Sequence, residues 1–186
     1  MTEAGGRRTG ERTRGAILDA AGRAFGSRPY AEITLKEIAE DAGVSAPLII
    51  KYFGSKEKLF EAVVDFRGAA DLVFSVPRDR LGEHIVRLFA QPREPYKPLS
   101  TSILYMSATS EDSVAKLRGN YSAQMIDVLA GLLDGDDTRL RAELVMSMVT
   151  GLAVMRRRML AEHATGAVDE VVARYAPLVQ QLIDTP

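Results

Sequence analysis

The chain of 186 residues has no cysteine. That excludes thiol catalysis, disulfides and Cys-ligated zinc or iron–sulfur sites, and it fits the cytoplasm without requiring it. Long apolar runs are also missing. The longest candidate, Leu144 to Met155, contains Ser147 and Thr150 and falls short of the roughly 18 apolar residues that span a bilayer, so it reads as a buried helix. Arg7-Arg8 is not followed by the apolar stretch of an export signal, because Asp19 interrupts it. The expectation is a soluble, cytoplasmic protein with no membrane partner. Neither sign of charge dominates: 24 Lys and Arg stand against 25 Asp and Glu, for a net charge of −1. An indiscriminate polycationic binder is thereby excluded, but a local basic patch is not.

Catalytic signatures are equally scarce. The chain has no G-x-S-x-G elbow, no H-E-x-x-H, no Walker loop and no G-x-G-x-x-G after a strand. Its histidines, His84 and His163, lie far apart and read as structural or solvated. Asp136-Asp137 opens a helix, where the helix dipole accounts for it. No enzymatic activity, metal or cofactor is expected.

What is present is helix. Hydrophobic residues make up 46% of the chain, enough for a real core, and they recur at helical rather than strand spacing almost throughout. The fold class expected is all-α, about nine helices in two sections, 1–75 and 78–186, with Val76-Pro77 as the joint. Residues 1–8 read as a mobile arm. A helix runs from Thr9 to Phe25 on Ala16, Ile17, Ala20, Ala21, Ala24 and Phe25, closed by Gly26. Thr34 with Glu37 forms a capping box for Leu35–Asp41. Ser45 caps a further short helix with Pro47 in its first turn, and Gly54-Ser55 restarts the chain for a fourth helix from Lys56 to about Leu72. Asp79–Ala90, Leu99–Thr109, Glu111–Leu133, Asp136–His163 and Ala167–Ile183 complete the set. Arg156-Arg157-Arg158 spans too wide an arc for one patch and is expected in solvent.

Two short helices joined at Gly43, with the small Ala39 where they cross, have the layout of a helix-turn-helix. Residues 33–64, ITLKEIAEDAGVSAPLIIKYFGSKEKLFEAVV, resemble the DNA-binding domain of TetR-family regulators. The resemblance rests on Thr34, Ala39, Ala42-Gly43-Val44-Ser45, Phe53, Ser55-Lys56-Glu57 and Leu59. Residues 16–34 resemble the family's first helix and loop. The chain departs from the family with Ile50 where a Tyr is usual and Tyr52 where a His is frequent. Leu48-Ile49-Ile50 spread over about 200° of a helix and cannot all face a core. The family register turns Ile49 and Phe53 inward and leaves Leu48 and Ile50 near the outer face, either as packing or as apolar contacts to thymine methyls.

The resemblance implies an N-terminal DNA-binding domain and a C-terminal effector-binding and dimerisation domain. It places Thr34, Lys36, Ser45, Ala46, Pro47, Leu48, Ile50, Lys51, Tyr52 and Lys56 on the double-stranded operator, with lysines and hydroxyls on phosphates or a guanine edge. Arg7, Arg8, Arg12 and Arg14 form either a basic arm on the DNA or a solvated tail. For a small apolar or amphipathic effector the candidates are Tyr105, Met106, Tyr121, Gln124, Met125 and Met148, which read equally as a Met-rich core stripe. Leu140, Leu144, Val145, Met148, Leu152, Met155 and Met159 form an apolar stripe with Gly151 and Ala153 nearby. Together with the last helix (Leu144, Leu152, Met155, Val172 and Leu178) they serve a homodimer interface, an intrachain core, or both on different faces. The function implied is a ligand-released repressor on a pseudo-palindromic operator. A ligand-binding or interaction protein that keeps the fold without reading DNA is the alternative.

Overall fold

In the computed structural model, residues 3–92 and 111–185 are described. Among them the chain is helical, with no strand. No helix among them is long and apolar enough to cross a membrane. The expected Leu99–Thr109 helix lies outside the described residues.

One compact unit holds the described residues up to Asp65 together with Glu111–Arg118. Its first helix, α1, runs Glu3–Ser27, so the segment expected as an arm is helical from Glu3. Helices α2 (Leu35–Asp41), α3 (Ala46–Phe53) and α4 (Lys56–Val63) follow. Ile17, Ala20, Ala21, Ile38, Ile49 and Leu59 fill the core among the four. Phe25, Tyr30 and Phe60 form an aromatic cluster beside it, with Phe25 and Tyr30 stacked at 5.5 Å. Burial, followed by the neighbouring Glu57 carboxylate, pushes the Tyr30 phenol up to about 12.

The fourth helix does not run on to Leu72. It ends at Val63, and α5 begins afresh at Arg67 and ends at Val73. Neither proline nor glycine marks this break. The Phe66 amide donates at 2.6 Å to Gln124 Oε1, fifty-eight residues away, and the Phe66 ring is buried, edge-on to Tyr121. A tertiary partner thus replaces the helical one.

Phe66 also begins the second unit, which continues through the described residues to Pro92 and resumes at Gly119. Its helices are α5, α6 (Leu81–Ala90) and, from Gly119 on, α7, a helix that starts as Glu111–Tyr121, widens to a π-helical turn at Ser122–Ile126 and resumes at Asp127–Ala130. Helix α8 (Thr138–Val154) passes into a second π-helical turn, Met155–Met159, and α9 spans Val168–Asp184. Helix α9 lies along α6, and Gly82 allows the approach: a β-carbon there would sit 2.9 Å from the Gln180 backbone nitrogen.

Arginines tie this unit together at helix ends, where unpaired carbonyls gather and the dipole favours a cation. Arg156 donates to the carbonyls of Ala90, Thr165 and Gly166, and Arg157 to those of Leu88 and Gln91. The expectation that this triplet lies in solvent is therefore corrected for Arg156 and Arg157, which close the C-terminus of α6. His84 likewise donates from Nε2 to the Leu72 carbonyl at 2.9 Å, at the end of α5. Arg141, only 6% exposed, donates to the carbonyls of Asp134 and Thr185. Removing it leaves these part-buried carbonyls without their charged donor, so Arg141→Met should cost about 2 kcal/mol of stability. Urea unfolding followed by circular dichroism measures this, and an unchanged midpoint would exclude the role.

Candidate nucleic-acid interface

The capping box at Thr34 sets the entry to α2. Thr34 Oγ1 accepts from the Glu37 amide at 3.2 Å, while the Thr34 amide and hydroxyl each donate to the Glu37 carboxylate at 2.9 Å. These bonds hold Glu37 below the ordinary carboxylate range, the backbone bond first. The Thr34 hydroxyl is thereby occupied by Glu37. At the turn, Gly43 takes φ +66, a region open to glycine at little cost, and the Val44 amide donates to the Ala39 carbonyl at 2.9 Å. Ala39 is buried at the crossing.

Helix α3 is then fixed from below. Ile49 is 0% exposed and Phe53 is buried, and one turn separates them on the inward face. The outward arc centres on Pro47 and Lys51, both exposed, flanked by half-buried Leu48 and by Ile50, which is 45% exposed. Ser45 stands exposed at the N-cap position without a side-chain capping bond, and Pro47 occupies the first turn. Ala46 is half-buried beside them. Lys36 on α2 and Tyr52 on α3 are also exposed. The outward face of α3 is a short, mostly apolar arc with one central cation.

Lys56 sits differently. Its Nζ donates to the Tyr30 carbonyl at 2.6 Å and lies 4.1 Å from the Tyr30 ring centre, so its ammonium closes the loop between α1 and α2. Ser55 accepts from the Lys58 amide and caps α4. One arrangement near α3 escaped the sequence. Arg14 of α1 lies over the Phe53 ring at 5.2 Å, and a β-carbon at Gly10 would sit 3.4 Å from Tyr52 Oη. Gly10 and Arg14 are four residues apart, the one available signal that they share a helix face.

The residues proposed for an effector gather in part. Tyr121 adjoins the π-helical turn that holds Gln124 and Met125, a geometry frequent at functional sites. Met125 is fully buried, Met148 of α8 is half-buried, and burial raises the Tyr121 phenol. Gln124 is committed to the Phe66 amide. Tyr105 and Met106 lie outside the described residues.

Of the dimerisation set, Leu144, Met155 and Leu178 are exposed and Leu152 is half-buried. Val172 is 5% exposed; it is a core residue of its own unit, because α9 turns that side toward α6. On α8 and at the start of the turn that continues it, the exposed residues Leu140, Leu144, Ser147, Gly151 and Met155 recur every three or four positions and share one face. Nothing lies within 4 Å of a β-carbon built at Gly151.

Comparison with known proteins agrees with this geometry. Residues 17–63 match the model described as bacterial regulatory proteins, tetR family, and residues 79–183 match the tetracyclin repressor-like C-terminal domain. The HTH-type transcriptional regulator BetI of Rhizobium meliloti is 31% identical over 154 residues, covering 76% of each chain. BetI of Brucella canis is 27% identical over 176 residues, 90% of this chain and 87% of that one. A TetR-family regulator from Streptomyces coelicolor superposes with a TM-score of 0.53 at 28% identity, covering 93% of this chain and 95% of its own. GusR of Salmonella enterica shares the fold, with a TM-score of 0.60 at 21% identity and coverage of 92% and 95%. With its capped helix-turn-helix, its outward α3 arc and both halves matched, the chain belongs to the TetR family of DNA-binding transcriptional regulators.

Proposed function

We propose that the protein is a repressor that binds a pseudo-palindromic operator as a homodimer and is released by a small apolar or amphipathic molecule. The observation that carries the reading is the division of α3. Ile49 and Phe53 anchor it, while Pro47, Ile50 and Lys51 stand outward on a helix of the kind a major groove admits. Ser45, Ala46, Leu48 and Tyr52 flank that arc, and Lys36 supplies a further charge for phosphates. Thr34 and Lys56 contribute through the loop and cap they hold in place, and the α4 start offers backbone N–H groups.

The exposed α8 face, with its small residues Ser147 and Gly151 between Leu144 and Met155, supports pairing with the same face of a second copy, joined by Leu178 of α9. Two copies related by a two-fold axis suit two half-sites. Tyr121, Met125 and Met148 provide adaptable apolar contacts for an effector. Displacing Gln124 would free the Phe66 amide, and Phe66 follows the last residue of α4 by only three positions. An effector bound at the π-helical turn would act by favouring one conformational state of the protein over another.

Selection of bound duplexes from a random pool tests the proposal. The expected product is an inverted repeat whose affinity falls on addition of an effector. Leu144→Glu should convert the dimer to monomer in sedimentation and weaken operator binding at least tenfold. A pool that returns no preferred sequence would instead favour an interaction module without specific DNA binding, and a monomeric parent protein would remove the dimer.

A further inference from the structure

Two hydroxyl side chains of α8 behave differently. Ser147 donates to the Glu143 carbonyl, four residues back, at 2.7 Å, the usual way a hydroxyl satisfies itself within a helix. Thr150 does not. Its Oγ1 is buried and has no hydrogen-bond partner among the described residues, and a buried hydroxyl left unbonded opposes folding. The polar group beside it is the Tyr121 phenol of α7. Burial raises that phenol, and the Thr150 hydroxyl partly offsets the rise, near enough to act without completing a hydrogen bond. No charged side chain contributes to the shift. The surroundings are apolar: Met146 and Ala153, both buried, lie one turn to either side of Thr150, and Phe66 stands edge-on to Tyr121 at 5.6 Å. Tyr121 is also held in place. Arg139 donates to Ser122 Oγ at 2.7 Å and Gln124 accepts from the Phe66 amide, which fixes the π-helical turn that begins just after it.

We propose that the Thr150 and Tyr121 hydroxyls together form the polar end of the effector site, and that the effector carries a neutral hydroxyl or carbonyl on an apolar body. The inference deepens the effector reading proposed above and rests on it. Each hydroxyl offers one proton and lone pairs, so the pair can donate to a carbonyl, or both donate to and accept from an alcohol. An ionised carboxylate or ammonium would be desolvated there without a charged partner to offset it, which costs far more than two neutral hydrogen bonds return. Met125 and Met146 are buried close to the two hydroxyls in sequence, and their unbranched side chains can re-pack around the apolar body.

Four eight-carbon probes that differ only in the polar end test this: octanol, methyl hexyl ketone, octanoate and octylammonium. Binding to the full chain is read as a rise in thermal midpoint. Release is read separately, on the duplex that the full chain selects from a random pool. Octanol and the ketone should raise the midpoint, and the two ions should bind at least about tenfold more weakly. Thr150→Val keeps the side chain's shape and deletes the hydroxyl. It should raise the midpoint of the free protein by about 3 °C, because an unpartnered buried group is removed. The same change should weaken octanol by about fivefold to tenfold, and Tyr121→Phe by a similar factor. A lower midpoint for free Thr150→Val shows that the hydroxyl already has a partner, and overturns the proposal. Equal octanol binding by parent and both variants overturns it too, as does a panel in which no probe raises the midpoint. A preferred ion that releases the duplex overturns the neutral polar end while leaving the release reading. Neutral probes that bind as expected and leave the duplex in place support the polar end and overturn release.

Discussion

Ile50→Glu is expected to abolish operator binding while the protein keeps its thermal midpoint. Ile50 is 45% exposed, so a polar side chain there costs the fold little. Against DNA the same carboxylate meets the phosphates at close range, where like-charge juxtaposition costs several kcal/mol, a loss of about a thousandfold or more in affinity. The neighbouring position gives the control. Ile49 is fully buried, and Ile49→Ala should destabilise by about 2–5 kcal/mol, losing DNA binding through unfolding. Lys51→Ala is the graded companion, with a fall of about 1 in the salt slope if its partner is a phosphate. Circular dichroism beside a titration of the selected duplex separates these outcomes. A folded Ile50→Glu protein that binds as tightly as the parent would remove α3 from the interface.

Gly82→Ala should be among the most destabilising single-methyl changes in the chain, although alanine is the better helix former by about 1 kcal/mol. Gly82 is buried in the first turn of α6, and its amide donates to Gln180 Oε1 at 2.8 Å. Gln180 Nε2 in turn donates to the Arg78 carbonyl at 3.0 Å. A β-carbon at residue 82 falls 2.8–2.9 Å from Gln180 Oε1, Cβ and backbone nitrogen. A flexible amide can swing away, but the backbone of α9 moves only if the two helices part. Overpacking costs about 1–3 kcal/mol and the lost hydrogen bonds about 1 kcal/mol each, so the net loss is about 2–3 kcal/mol. That corresponds to a fall of about 10 °C or more in midpoint for a unit of this size. Gly119→Ala, in open space on α7, should instead stabilise slightly. Equal midpoints for the two variants would refute the close approach of α6 and α9.

The contrast between these two sites shows what was legible in the chain. At the reading helix nearly everything was local. Thr34 and Glu37 are three residues apart, Gly43 demands its own φ, and the inward pair Ile49 and Phe53 is one turn apart. Each is decided by neighbours within four positions, so the helix-turn-helix followed from the residues themselves, while the outward place of Ile50 came from the register that the family resemblance implies. The same local logic read Arg156 and Arg157 as solvated, Val172 as an interface residue and Lys56–Leu72 as one helix. In each case the deciding partner is distant: the α6 carbonyls, the α6 face of α9, and Gln124 for the Phe66 amide.

By itself the sequence determined the helical class, the motif and the Thr34 capping box, because helix periodicity and capping act over a single turn, and the family resemblance added which face of α3 looks outward. Only the tertiary structure decided which arginines close helix ends, where α4 stops, how closely α6 and α9 approach, and that Gly10 and Arg14 of α1 lie against Tyr52 and Phe53. Those outcomes depend on which buried amide or carbonyl meets which side chain across tens of residues, and a buried polar group takes the partner that packing brings within reach.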